Sequence, residues 1–379
     1  MRVASRSLLA ILTLALATGL LVVEQPGPAS AGIIIIPPPF FLGGDDIAFT
    51  SLRNDNTDIY VMNADGSAQA RLTSDPAADT GAVWSANGSQ IAFTSNRDGN
   101  NEIYVMSADG SDEENLTNHP DSDADPAWSQ DGSQIAFSSD RDGNEEIYLT
   151  DENNVVVRLT DNPAIDGGPA WSPDGSQIAF ASNRDGNWEI YVMNADGSGQ
   201  TNLTNHPNFD GGPAWSPDGS QIAFASDRDG QSEIYVMNAD GSTPMRLTDN
   251  GVFDTAPAWS PDGSQIAFRS NRNGNTDIYV MNADGSVQTR LTDNPANDTS
   301  PAWNPTSSVD PLVLLGDVNC DGAVTIADAQ IVAQLIVGRI DALACPQNGD
   351  VNESGGVTIA DAQLIAQLIV GRIASLPPP

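Results

Sequence analysis

Two stretches near the C-terminal end space oxygen-bearing residues as a cation-binding loop requires. In the first, Asp317, Asn319, Asp321, Thr325 and Asp328 stand at loop positions 1, 3, 5, 9 and 12, and Ala323 offers its carbonyl at position 7. In the second, the matching residues are Asp350, Asn352, Ser354, Thr358 and Asp361, with the Gly356 carbonyl at position 7. Gly322 and Gly355 fall at position 6, where the chain must turn sharply. Hard oxygen ligands at this spacing wrap Ca²⁺, so two Ca²⁺ ions are expected. The second loop carries Ser354 where the first has Asp321. With one carboxylate fewer, it should bind the more weakly.

Carboxylates also recur upstream. Asp79, Asp123, Asp166, Asp210, Asp254 and Asp298 each stand five residues before a Trp. If the strand each one leads into is the innermost of a ring, the six surround one mouth of a central channel. A cation or a cationic partner group would relieve their repulsion there. The alternative is structural: each Asp caps its crossover by accepting backbone N–H bonds. A second periodic set pairs Arg with an acid five residues on: Arg53 and Asp58, Arg97 and Glu102, Arg141 and Glu146, Arg184 and Glu189, Arg228 and Glu233, Arg272 and Asp277. A carboxylate–guanidinium bond across a hairpin base is expected for each.

Nucleophilic catalysis finds little support. His119 and His206 occupy equivalent Asn-His-Pro segments, which suits loop residues. There is no Lys, and no Ser or Cys sits in a recognisable nucleophile context. Carboxylate pairs suited to glycosidase-type acid/base work are too abundant for any one to be informative.

The elements that position these residues are repeats. Trp recurs at 84, 128, 171, 215, 259 and 303; Ile-Ala-Phe begins at 47, 91, 135, 178, 222 and 266; Ile-Tyr begins at 59, 103, 147, 190, 234 and 278. Each unit of about 44 residues reads as four short strands joined by Pro-Asp-Gly, Arg-Asp-Gly-Asn and Ala-Asp-Gly-Ser turns. Four strands at this period predict the blades of a β-propeller. The first unit lacks its Trp strand, and the last is only Pro301-Ala302-Trp303-Asn304-Pro305. The two fragments complete one blade, so six blades are expected, closed by pairing of the two ends. The fold class is an all-β six-bladed propeller followed by a small α-helical calcium-binding domain.

The repeats resemble the TolB-like, WD-type propeller repeat of exported bacterial proteins, through Trp-Ser-Pro-Asp-Gly, Ile-Ala-Phe, Asn-Arg-Asp-Gly and Ile-Tyr-Val-Met. The resemblance implies a platform for proteins or glycans; some related propellers are enzymes. The duplicated loop–helix halves, GDVNCDGAVTIADAQIVAQLIVGRI and GDVNESGGVTIADAQLIAQLIVGRI, resemble a type I dockerin. That implies Ca²⁺-dependent docking to a cohesin-bearing scaffold or surface protein. It also implies a partner-choosing role for loop positions 10 and 11, here Ile326 and Ala327, then Ile359 and Ala360. The Ser-Thr pair of cellulosomal dockerins is absent from those positions. A calcium-stabilised cap on the chain's own propeller is the alternative. Cys320 and Cys345 either form a disulfide in this domain or remain free thiols.

Composition narrows the rest. The chain of 379 residues has 51 acidic and 15 basic residues, a net charge of −36. That field repels nucleic acid and anionic lipid. Arg2 and Arg6, an apolar run from Leu8 to Val23, and Ala29-Ser30-Ala31 have the layout of a secretory signal peptide. The expected organisation is a signal peptide over 1–31, a Pro-rich leader over 32–44, the propeller over 45–309 and the dockerin-like domain over 310–379. The expected product is secreted or held at the cell surface and does not insert in a membrane after cleavage. Its expected function is non-catalytic binding, with the propeller as platform. The first alternative is a polysaccharide-degrading hydrolase or lyase on the same tether, with Trp188, the one Trp outside the repeat register, as a place to look. The second is a TolB-like envelope protein.

Overall fold

The structure is a computed structural model, in which residues 46–150 and 155–305 are described. The leader, both calcium loops, Ile326, Ala327, Ile359, Ala360 and the two cysteines lie outside the described residues. Within them, strands make six four-stranded antiparallel sheets. Blade 1 comprises Asp79–Trp84, Gln90–Ser95, Glu102–Ser107 and Glu114–Asn115. Blades 2 to 5 repeat this plan, beginning at Asp123, Asp166, Asp210 and Asp254. Blade 6 combines Asp298–Trp303 with Ile47–Ser51, Asp58–Met62 and Ala70–Arg71. Ile47 pairs with Trp303 and Ser51 with Asp298, so the ring closes as the fragmentary end units require. The first strand of every blade touches the first strands of both neighbours; these six strands line the channel. No α-helix occurs among the described residues.

Alternation explains how sheets with two apolar faces stack. In blade 1, Ile91, Phe93, Tyr104 and Met106 point to one face. They pack on Ala48, Ile59 and Val61 of blade 6. The same contact recurs at the other interfaces, as where Ile222, Phe224, Tyr235 and Met237 meet Ala179 and Ile190. Each Phe at the centre of the second strand is fully buried and lies 5.7–5.9 Å from the Tyr of the third strand.

The turns follow from their residues. In Ser172-Pro173-Asp174-Gly175-Ser176, the Asp174 carboxylate accepts the Ser172 hydroxyl at 2.7 Å and the Ser176 N–H at 3.0 Å. These bonds, the Ser172 hydroxyl foremost, hold its pKa down at about 2. Gly241, in the turn between third and fourth strands, has φ +83°, and a Cβ there would stand 2.6 Å from the Leu203 carbonyl of the preceding blade. Only glycine fits so close an approach.

Candidate functional site at the channel mouth

The six periodic Asp residues open the innermost strands, at the mouth formed by the crossovers and the second-to-third-strand hairpins. Each is 0% exposed. Each is ion-paired to an arginine of its own blade: Asp79 to Arg97 at 3.0 Å, Asp123 to Arg141 at 2.8 Å, Asp166 to Arg184 at 2.7 Å, Asp210 to Arg228 at 2.9 Å, Asp254 to Arg272 at 2.8 Å and Asp298 to Arg53 at 3.0 Å. The guanidinium lies over the blade's Tyr ring, 4.4–4.9 Å from its centroid, within the range of a cation–π contact. The negative charge of each ring Asp is therefore balanced inside its own blade.

This corrects the expected pairing of each Arg with the acid five residues on. The register sets Ser95 opposite both Asp79 and Glu102. Arg97 leans back along its strand, its Nε donating to Ser95 Oγ at 2.9 Å, and so reaches the first strand. Glu102 is already occupied: it accepts from Thr117 Oγ1 at 2.6 Å, Asn100 Nδ2 at 2.7 Å and the His119 N–H at 3.0 Å. In blades 2, 4, 5 and 6 an arginine of the fourth strand pairs with this acid, as Arg158 does with Glu146. Burial opposes ionisation of Glu146, but bonds from Thr160, Asn162, Asn144 and Arg158 hold its pKa below the ordinary value. His119 and His206 serve the same network through their backbones; the His206 N–H donates to Glu189 at 3.0 Å.

Against these repeated parts, a few positions at the mouth and on the channel wall differ from blade to blade. The residue before the ring Asp is Ala78, Ser122, Ile165, Phe209, Phe253 or Asn297. The residue two after it, at a bulge with positive φ, is Gly81, Asp125, Gly168, Gly212, Ala256 or Ser300. A Cβ at Gly81, Gly168 or Gly212 would meet nothing within 4 Å, so this position opens on the channel. The residue after the central Phe of the second strand is Thr50, Thr94, Ser138, Ala181, Ala225 or Arg269. The residue before the third-strand acid is Thr57, Asn101, Glu145, Trp188, Ser232 or Thr276; its carbonyl accepts the N–H of the next blade's ring Asp, as Trp188 does from Asp210 at 2.9 Å.

The variation is not scattered. Ile165, Phe209 and Phe253 are exposed on blades 3, 4 and 5, and Leu52 continues the apolar crescent on blade 6. Leu52 stands where the other blades have Asn or Asp, and its N–H bonds the Asn297 carbonyl at 2.9 Å. Blade 2 is instead acidic. Asp125 faces the channel, and Glu145 rests against Gly167 of blade 3. Loss of hydration raises the Asp125 carboxyl pKa where that residue faces the channel, and burial raises that of Glu145, to which the nearby Asp125 charge adds; Ser138 opposes both shifts. Among the described residues, no three His, Cys, Asp or Glu side chains converge to hold a metal ion.

Repetition in the sequence drew attention to the shared Asp and Arg. The crescent, Asp125, Glu145 and Arg269 are exceptions to the repeat, and only Trp188 stood out as one. Aligning the six units column by column and reading the departures would have found the others.

The TolB beta propeller domain family matches residues 10–119, 96–161, 156–256 and 247–310, and the dockerin type I domain family matches residues 315–370. The Tol-Pal system protein TolB of Anaeromyxobacter dehalogenans strain 2CP-C is 51% identical over 41 residues, 11% of this chain. That match spans only 9% of the relative's own length. Among solved structures, TolB from Acinetobacter baumannii is similar with a TM-score of 0.63 and 22% identity, over 70% of this chain and 67% of that one. Kuenenia stuttgartiensis hydrazine synthase is similar with a TM-score of 0.58 and 18% identity, over 70% of this chain and 48% of that one. At these identities the likeness shows the fold alone.

Proposed function

This chain belongs to the TolB beta propeller domain family and carries a dockerin type I domain, and from that premise we propose that it is an exported, non-catalytic binding protein. The propeller, residues 45–309, presents the ligand face. The domain over 310–379 holds two Ca²⁺ ions and docks the chain to a cohesin-bearing scaffold or surface protein, with Ile326, Ala327, Ile359 and Ala360 at that contact. The observation that carries the propeller's role is where the blades differ. Buried parts are nearly identical in all six, whereas four of the eight exposed large apolar side chains among the described residues, Leu52, Ile165, Phe209 and Phe253, gather at one mouth as a crescent across from an acidic blade. A fold needs the former; recognition of one ligand needs the latter.

The test is capture from the organism's exported proteins by the full mature chain, with Ca²⁺ and with chelator, alongside a Phe209→Ser/Phe253→Ser variant. A partner lost with chelator and kept by the variant belongs to the dockerin. A partner lost by the variant and kept with chelator belongs to the mouth. Capture of nothing in any arm would sink the proposal.

One observation favours a second reading, a polysaccharide-active enzyme. Asp125 and Glu145 are carboxyls that occur at their repeat positions on blade 2 alone, and the raised pKa of each suits the acid member of a glycosidase-type pair. Cleavage of a polysaccharide panel that is abolished in both Asp125→Asn and Glu145→Gln would establish it. Absence of cleavage by the wild type would remove it.

A further inference from the structure

Eleven arginines fall among the described residues. Ten are ion-paired to carboxylates. The exception is Arg269, on the second strand of blade 5. Its Nε donates to Thr255 Oγ1 at 2.5 Å. That bond leaves the two terminal nitrogens of the guanidinium without a carboxylate, in a chain with 36 more negative than positive charges. The side chain is half-buried, and burial lowers its pKa with no neighbouring anion to offset it. The matching position is Thr50 on blade 6, Thr94 on blade 1 and Ser138 on blade 2. Thr50 and Ser138 accept a backbone N–H from the first strand of the next blade, Gly81 and Gly168 respectively, each at 3.1 Å. Arg269 thus stands on the side of its blade that faces the first strand of blade 6. A fold that works with Thr or Ser here does not need an unpaired cation.

An exposed aromatic ring stands beside it. Arg269 pairs in register with Thr255, and Asn271 bonds the carbonyl of Phe253. Phe253 is therefore the diagonal neighbour of Arg269 on the same side of the ladder, roughly 7–8 Å away. Blade 4 shows how such a ring lies: Phe209 folds over Gly211, its Cζ 2.6 Å from where a Cβ would be. In blade 5, Thr255 occupies that space. Phe253 accordingly stands out, 56% exposed against 38% for Phe209. Leu52 of blade 6 extends the same crescent.

We propose that the mouth at the junction of blades 5 and 6 binds the C-terminal residue of a peptide, its carboxylate on the Arg269 guanidinium and its apolar side chain against Phe253 and the crescent. A guanidinium fork takes a carboxylate through two parallel hydrogen bonds. A C-terminal residue carries a carboxylate and an apolar branch on one carbon, which matches a cation and an exposed ring at neighbouring ladder positions. The net charge of the chain disfavours a ligand with many carboxylates, which sets an acidic polysaccharide behind a singly charged, apolar peptide end.

This inference rests on the mouth being the binding face. The experiment uses the full chain in Ca²⁺ and two probes, acetyl-Gly-Gly-Leu-Phe with a free carboxylate and the same peptide as its C-terminal amide. Binding is read by calorimetry for wild type, Arg269→Thr and Phe253→Ser. Arg269→Thr installs the residue that blades 1 and 6 already carry, so it should fold, with a urea midpoint equal to or above that of wild type. The expected result is binding of the free carboxylate, weakened at least about tenfold by amidation and by Arg269→Thr, and also weakened by Phe253→Ser. Equal binding of both peptides, unchanged binding by Arg269→Thr, or no binding at millimolar peptide would overturn it. So would Arg269-dependent binding of a hexuronate oligosaccharide in place of the peptide. If Phe209→Ser/Phe253→Ser abolishes partner capture while Arg269→Thr does not, the mouth stands as the binding face and only the carboxylate assignment falls.

Discussion

Replacing Arg228 by Ala tests whether the repeated Asp–Arg pair holds the blade together. Asp210 is 0% exposed and the Arg228 side chain 12% exposed. The guanidinium nitrogen stands 2.9 and 3.1 Å from the two carboxylate oxygens. Removing it strands a buried charge, which costs about 3–5 kcal/mol. The lost contact with Tyr235, 4.9 Å away, adds about 0.5–1 kcal/mol. Blade 3 supplies an internal comparison. There Asp166 is held by Arg184 at 2.7 Å and also by Asn162 Nδ2 at 2.6 Å. The residue matching Asn162 in blade 4 is His206, whose N–H is given to Glu189. Arg184→Ala therefore leaves its carboxylate one donor, and should cost less than Arg228→Ala by about 1.5–3 kcal/mol, the worth of a hydrogen bond to a charged group. The Asp210→Asn/Arg228→Met double variant should recover most of the loss, because no buried charge remains. Urea unfolding of the three variants and the wild type in constant Ca²⁺ gives the comparison. A cost below about 1 kcal/mol for Arg228→Ala would mean the pair behaves as a solvated surface bridge. Equal costs for the two single variants would refute the donor-counting argument.

Further outcomes are expected elsewhere in the chain. Loss of hydration raises the carboxyl pKa of Asp125 and Glu145, so the folded state binds protons more tightly there than the unfolded state. Their contribution favours folding at low pH and is lost as pH rises from the ordinary carboxylate range through the raised values. Asp125→Asn/Glu145→Gln should thus be more stable than wild type at neutral pH, with the difference closing near about pH 3; a difference constant across pH would refute the linkage. Gly241→Ala should cost about 1–3 kcal/mol, from a positive φ together with a 2.6 Å approach to Leu203, and an unchanged urea midpoint would show that the turn yields. In calcium titrations the first loop should bind roughly tenfold more tightly than the second, and Ser354→Asp should narrow the gap while Asp321→Ser lowers the first; two equal wild-type sites would contradict this. Thiol counting in native protein should find no free thiol if Cys320 and Cys345 are bridged, and two would exclude the bridge.

Much of the propeller was legible because its signals are local and repeated six times. Asp-Gly turns fix where strands end, and alternation in Ile-Ala-Phe and Ile-Tyr-Val-Met declares both faces apolar. The incomplete units at Ile47 and Trp303 declare where the ring joins. The ion pairs were misread because sequence distance is a poor guide across a ladder. Arg97 is five residues from Glu102 and eighteen from Asp79, yet the register and the Ser95 bond turn it to the farther acid. The mouth was the least legible part. Phe253, Arg269 and Leu52 look unrelated along the chain, and become neighbours only when two blades meet and the ring is closed. Helical and calcium-bearing elements at the C-terminus were read from spacing alone, and the family match at residues 315–370 agrees with the dockerin resemblance.

Closure of blade 6 also bears on how the chain is made. Ile47–Ser51 cannot gain its inner partner until Asp298–Trp303 exists. At about 5–20 residues per second, some 250 residues of synthesis take roughly 12–50 s. Throughout that interval the earliest strand has one edge open, and the apolar face of blade 1 that will meet it has nothing firm to rest on. Pairing over such a sequence separation is also slow once all the strands are present. Nascent chains of this kind depend on being kept unfolded, or on reaching a dilute compartment, before they meet one another. A partner edge borrowed from a second copy would satisfy the same bonds, so domain-swapped dimers are the characteristic error to look for when this protein is refolded at high concentration.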